Sequence, residues 1–157
     1  MRYLTKEWFL ANQGYPISQE AREKLDDIMR SFHAAQLREA LPDGMREKFS
    51  FHDGVVRRIA CDRDCTIQLD SPFSSYHTVI FQNAVCKQAL PPAGAVWLYE
   101  ELYRHKSGNG FEVHILFSAP QKPAHKKMLP SDLIEWKIRC SEIAFAEEAK
   151  SCQPFTE

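Results

Sequence analysis

Between Ser18 and Leu41 the apolar residues Ala21, Leu25, Ile28, Phe32 and Ala35 recur at alternating steps of four and three, and Met29 widens the stripe. That period places them on one face of a helix, which must be buried against something. Ser18 is a good N-cap, so the pattern predicts a long helix from there to about Leu41, stopped by Pro42 and Gly44. Upstream, Thr5 can cap a short helix over Lys6 to Gln13, which Gly14 would end in the left-handed conformation, with Pro16 separating the two helices.

From Phe51 onward the period shortens to that of strands. Val55 to Ala60, Thr66 to Leu69, Thr78 to Gln82, Val96 to Arg104, Phe111 to Phe117, Leu133 to Arg139 and Ile143 to Phe145 are short runs rich in β-branched and aromatic residues, divided by turn chemistry. Asp62-Arg63-Asp64 and Ser107-Gly108-Asn109-Gly110 read as hairpin connections, which implies antiparallel pairing. Ile134, Trp136, Ile138 and Cys140 alternate with Glu135, Lys137 and Arg139, the pattern of a sheet wet on one side, whose dry side a helix layer can cover. Counted by twos, Trp97, Tyr99 and Tyr103 point opposite to Val96, Leu98 and Leu102, so this strand is apolar on both faces.

The expectation is an α+β fold: an N-terminal helical segment (1–44) packed on an antiparallel sheet or meander of about seven strands (51–146), the whole forming one domain over 1–148, with 149–157 a frayed tail. The stretch from Ala119 to Ser131, carrying Pro120, Pro123 and Pro130 with Lys122, Lys126 and Lys127, reads as a solvated, mobile loop.

Composition changes the picture mainly by exclusion. Twenty Lys+Arg against 21 Asp+Glu give a net charge of −1, with no global field to hold a polyanion, so nucleic acid is not an expected partner. No stretch approaches membrane-spanning length, and the charged opening lacks the apolar run of a secretory leader; the expected address is the cytoplasm. Five cysteines (Cys61, Cys65, Cys86, Cys140, Cys152), odd in number and without framework spacing, are expected as free thiols, although Cys61 and Cys65 could join across a tight hairpin.

Several segments together resemble one family. Met1-Arg2-Tyr3-Leu4-Thr5-Lys6-Glu7-Trp8, Phe51-His52-Asp53-Gly54, Phe81-Gln82-Asn83-Ala84, Trp97-Leu98-Tyr99-Glu100-Glu101-Leu102-Tyr103, Phe111-Glu112-Val113-His114 and Ile138-Arg139-Cys140-Ser141-Glu142-Ile143 look like the pattern of the uncharacterised bacterial family called domain of unknown function 4085. The resemblance implies a helix-then-sheet domain of cytosolic bacterial proteins and assigns no catalytic residue. The His52-Asp53 strand entry also resembles small bacterial immunity-type proteins that neutralise toxins.

Two constellations carry candidate chemistry. His52-Asp53 invites comparison with metal phosphohydrolase dyads, but no second dyad follows; in the simpler reading Asp53 and Gly54 form a turn while His52 bonds a nearby carbonyl. Glu100, Glu101, Glu112 and His114 flank the second hairpin, where a buried carboxylate near a histidine could do acid–base work. A two-residue loop sets His114 opposite Tyr103 and Glu112 opposite His105; a five-residue loop sets His114 opposite Leu102 and Glu112 opposite Arg104. No serine-hydrolase elbow, phosphate loop or dinucleotide fingerprint occurs, and no cofactor or metal site is expected. Two functional classes follow. The preferred one is a non-catalytic, protein-binding domain of immunity or regulatory type, with Trp97, Tyr99, Tyr103 and Trp136 as candidate contact residues. The other is a metal-dependent or acid–base hydrolase using His52, Asp53, Glu100, Glu101 and His114.

Overall fold

In the computed structural model, which describes residues 1–14, 16–120 and 128–147, three helices precede seven strands. The tail and the Lys122 to Lys127 cluster discussed above lie outside the described residues, as does Cys152. Helix α1 spans Lys6–Gln13, and the Thr5 side chain accepts the Trp8 N–H at 3.2 Å. Gly14 does not close it in the left-handed conformation: its φ of −65° and ψ of 136° are extended, and its N–H returns to the Ala11 carbonyl. Helix α2 spans Gln19–Arg38, capped by the Ser18 hydroxyl on the Ala21 N–H at 3.2 Å. It ends three residues before Leu41, because its last groups are bonded to the sheet: the Glu39 carboxylate accepts the Arg104 N–H at 2.9 Å, and Arg104 Nε donates to the Ala40 carbonyl at 2.6 Å. A one-turn helix, α3 (Met45–Lys48), follows Gly44 at φ 71° and buries Met45; four residues are too few for a periodic signal.

Strands β1 (Gly54–Cys61), β2 (Cys65–Asp70), β3 (Tyr76–Gln82), β4 (Val96–Arg104), β5 (Phe111–Ser118), β6 (Leu133–Cys140) and β7 (Glu142–Glu147) form one antiparallel sheet in the order β6-β5-β4-β1-β2-β3-β7. The two strands at the ends of that order are joined in sequence by Ser141 alone, whose N–H donates to the Gln82 carbonyl at 2.9 Å. The sheet therefore rolls up, and its inward side chains share a core that includes Phe51, Val56, Ile67, Leu69, Val79, Phe81, Trp97, Ile115, Phe117, Trp136 and Ile138. Aromatic rings fill much of it, with Trp97 5.2 Å from Phe51 and 5.4 Å from Phe117 between ring centres.

The helices do not cover the dry face of β6, as the sequence pattern suggested. Trp136 and Ile138 point into the roll, where the other strands enclose them, and the helices pack on the outer face of β4, β5 and β6. There Leu4, Trp8, Phe9 and Leu25 meet Val96, Leu98, Leu116 and Leu133, with Ile28, Met29 and Phe32 half-buried against them. Burying side chains of this size contributes roughly 1.5–3 kcal/mol each. Counting by twos also fails within β4, because a bulge between Trp97 and Tyr99 shifts the register. Trp97 and Leu102 consequently face the inner core, while Val96, Leu98 and Tyr99 belong to the helix-side cluster.

The β1–β2 hairpin brings Cys61 opposite Cys65, with Cα atoms 4.0 Å apart, and the pair is joined as a disulfide rather than left as thiols. Cys140 remains a buried thiol, and burial pushes its pKa up to about 12. Among the described residues, no helix is long and apolar enough to cross a membrane.

Candidate functional site

Neither of the two expected hairpin registers occurs. The connection between β4 and β5 takes six residues, 105–110, with Gly108 and Gly110 at φ 79° and 81°, and it pairs Arg104 with Phe111, Tyr103 with Glu112 and Glu101 with His114. The His105 N–H bonds the Gly110 carbonyl at 3.0 Å and the Gly108 N–H bonds the His105 carbonyl at 2.8 Å, so the loop is wider than turn propensity alone indicates.

Continued onto β6, this register lays out two polar rows on the outer face of the sheet: Glu101, His114 and Lys137, then Tyr103, Glu112 and Arg139. The N-terminal segment lies over the first row. Glu101, completely buried, accepts the backbone N–H groups of Arg2, Tyr3 and Leu4 at 2.7, 2.8 and 2.7 Å and the Tyr103 hydroxyl at 2.9 Å. Burial alone would raise its pKa, but these donors and the neighbouring His114 outweigh it and hold the carboxyl at about 2. Tyr103 is pushed the other way, by burial first and then by the charge of Glu101.

His114 bridges the two carboxylates, with Nε2 2.8 Å from Glu112 Oε1 and Nδ1 3.6 Å from Glu101 Oε2. Glu112 also meets Lys137 Nζ at 3.0 Å, Arg139 Nε at 3.0 Å and, more distantly, the Arg2 guanidinium at 3.9 Å. Those partners overcome its burial and keep its pKa at about 2. The Arg2 guanidinium lies over the Tyr103 ring, 3.8 Å from its centre. Every carboxylate oxygen of Glu101 and Glu112 thus faces a donor.

Glu100 is on the opposite side of β4, away from Glu101. Its carboxylate takes the Trp97 indole N–H at 2.7 Å, and burial lifts its pKa to about 7 against the opposing effects of that bond and of His52. It lines a groove of about 410 Å³ together with Phe32, His33, Gln36, Leu37, Arg46 and Leu102. Arg46 Nε is buried and has no hydrogen-bond partner among the described residues.

His52 and Asp53 sit at the turn into β1. Asp53 has φ 62°, the Gly54 N–H bonds the Phe51 carbonyl at 2.7 Å, and His52 Nδ1 bonds the Leu98 carbonyl. Hence the fold does not gather the hydrolase candidates into one group: His52 stands at the edge of β4, its ring 5.2 Å from that of Tyr99, whereas Glu101 and His114 meet beneath the N-terminal segment. Among the described residues, no group of three His, Cys, Asp or Glu side chains is arranged to hold a metal ion.

Of the four aromatic contact candidates, Trp97, Tyr103 and Trp136 are buried, and Tyr99 is half-buried beneath Trp8 and Phe9, at ring distances of 5.4 and 6.2 Å. Sequence reasoning passed over Arg2, whose backbone N–H Glu101 accepts, and the pairing of Lys137 and Arg139 with Glu112. Each acquires its role from a residue far along the chain, so no local signal marks it.

A family model described as a protein of unknown function, DUF4085, matches residues 17–125, more than half of the chain. No curated protein and no solved structure matches it.

Proposed function

The chain belongs to the DUF4085 family, and from that premise we propose that it is a non-catalytic binding domain that engages a protein partner in the bacterial cytoplasm, as an immunity-type or regulatory protein does. One observation carries the reading. The outer-face carboxylate of Glu101, one of the hydrolase candidates, and that of Glu112 beside it hold the N-terminal segment and the strands together. A carboxylate whose oxygens are each engaged by donors is organised for structure, not for accepting a substrate proton. Beside it the loop between β3 and β4 exposes Val85 and Leu90, 56% and 41% accessible, next to β6. Apolar side chains ringed by charged ones suit a protein contact. A photo-crosslinking residue at position 85, introduced into the full chain in its source cell, is expected to give a discrete protein adduct that the same residue at the exposed position of Asp26 does not. Equal labelling from both positions removes the support.

A second reading is favoured by Glu100. A carboxyl with pKa about 7 in a groove has the poise of a general acid or base, with His52 close enough to influence it. Turnover of an ester, phosphoester or glycoside that disappears in Glu100→Gln while the fold is retained would establish it; flat panels with the wild-type protein would end it.

A further inference from the structure

We propose that the outer edge of β6 and the loop after β3 dock an acidic segment of a protein partner. This deepens the binding reading and rests on it. The chain as a whole balances 20 basic against 21 acidic residues, yet this surface does not. Arg2, Lys137 and Arg139 converge on the single carboxylate of Glu112 and are themselves about half accessible, at 47%, 46% and 53%. Lys87 adds a fourth cation across a groove of about 210 Å³ lined by Val85, Lys87, Gln88, Lys137 and Arg139. The neighbouring acid does not offset them, since Glu135 faces the N-terminal segment and accepts Met1 N at 3.1 Å and Lys6 N at 2.9 Å.

The groove is built rather than accidental. Val85 and Arg139 exchange backbone hydrogen bonds at 2.8 and 3.0 Å, and the Gln88 amide donates to the Glu135 carbonyl at 3.0 Å while accepting the Lys137 N–H at 2.7 Å. These bonds clamp the loop to β6 and hold Lys87 beside the β6 cations. Arg139 reaches Glu112 through Nε, and that contact does not use the two terminal nitrogens of its fork, which match a carboxylate in geometry.

Charge complementarity thus selects an anionic occupant. The exposed Val85 within the cluster and Leu90 nearby favour a peptide segment over a bare inorganic anion. A nucleic acid fits less well, because strand binders interleave exposed aromatics with cations, and Tyr103, the aromatic beneath Arg2, is buried.

Fluorescence polarisation with a fluorescein-labelled deca-glutamate peptide tests this on the full chain, with deca-lysine, inorganic phosphate and a 20-mer of deoxythymidine as further arms. The expected result is saturable deca-glutamate binding that weakens severalfold between 50 and 200 mM salt and at least tenfold in the Lys87→Glu, Arg139→Glu double variant, roughly the loss expected when close charge pairs are reversed. Lys87→Glu alone, at an exposed position, guards against misfolding and should still weaken binding measurably. Deca-glutamate affinity unchanged by these reversals, no deca-glutamate binding, phosphate competition at equal affinity or tighter oligonucleotide binding would each overturn the proposal. If the peptide fails while the position-85 adduct persists, the acidic partner is wrong and the binding reading stands; loss of the adduct removes the binding reading itself.

Discussion

The Gln36 side chain stands in for a strand beside Leu102: its amide donates to the Leu102 carbonyl at 3.0 Å and accepts the Leu102 N–H at 3.1 Å. Strand β1 pairs with β4 only at Gly54↔Trp97 and Val55↔Val96, so the stretch from Leu98 to Arg104 runs on past it. Along that stretch His52 takes the Leu98 carbonyl, Gln36 takes both polar groups of Leu102, and Glu39 takes the Arg104 N–H. Gln88 treats β6 in the same way, through the Glu135 carbonyl and the Lys137 N–H. An uncovered strand edge is a template for unwanted pairing, and here side-chain amides close two such edges without adding a strand.

Gln36→Leu keeps the bulk of the side chain and strands both Leu102 groups in a buried site. The expected loss is about 2–4 kcal/mol, since each unsatisfied buried backbone group costs about 1–3 kcal/mol. Chemical denaturation measures it, and hydrogen exchange should show the Leu102 amide losing protection ahead of Val113 and Ile115. Unchanged stability would mean that water replaces the amide at no cost.

The strands were legible because each is a short apolar run between turn residues, and Val96–Arg104 falls where the pattern puts it. Closure of the sheet was not. Cys140, Ser141 and Glu142 continue one alternating run, and only the Gln82 carbonyl, 59 positions away from Ser141, shows that the chain changes partners there. The candidate carboxylates were visible by type, and alternation sets Glu100 and Glu101 on opposite faces, but which of the two faces outward was hidden. The bulge between Trp97 and Tyr99 turns Trp97 inward while Tyr99, Glu101 and Tyr103 keep the outer side, and parity counting from Trp97 has no means of finding it. Loop width was hidden for a related reason: Gly108 and Gly110 permit several hairpins, and the contact of Gly110 with β6 selects one.

That contact supplies a second test. Gly110 has φ 81°, and a Cβ there would overlap the Cys140 carbonyl, which is backbone and cannot step aside. Gly110→Ala is expected to cost at least about 2–4 kcal/mol, combining left-handed strain with the clash. At Gly108, where a Cβ meets open space, the same change should cost only the strain, about 1 kcal/mol. Equal melting temperatures for the two variants would contradict the packing of the hairpin on β6.

The disulfide makes a prediction about thiol number. Five cysteines are present, and Cys61 and Cys65 are joined, so titration of denatured, unreduced protein should find two fewer thiols than the reduced protein. Alkylation followed by peptide mapping should identify the protected pair as Cys61 and Cys65. Labelling of both without reductant would return them to the free state expected from sequence.

Glu101 and Glu100, adjacent in the chain, should oppose each other in pH dependence. Glu101 has a depressed folded pKa of about 2, so its contribution is complete above its unfolded value near 4.5 and is lost as pH falls from there toward 2. Glu100 has a raised folded pKa of about 7, so the native state binds its proton more tightly, and stability declines as pH rises from about 4.5 to 7. Glu101→Gln should therefore flatten the acid limb of the stability curve, at a large cost at neutral pH because the N–H groups of Arg2, Tyr3 and Leu4 lose their charged acceptor. Glu100→Gln should flatten the limb between pH 4.5 and 7 and raise stability at pH 8 by roughly 1–3 kcal/mol, on the scale of 1.4 kcal/mol for each pKa unit. Denaturation midpoints of the wild type and both variants between pH 3 and 8 separate the two effects. A Glu100→Gln protein as pH-sensitive as the wild type across that interval would show that the inward carboxyl ionises freely, and the acid–base reading of the groove would lose the property that recommends it.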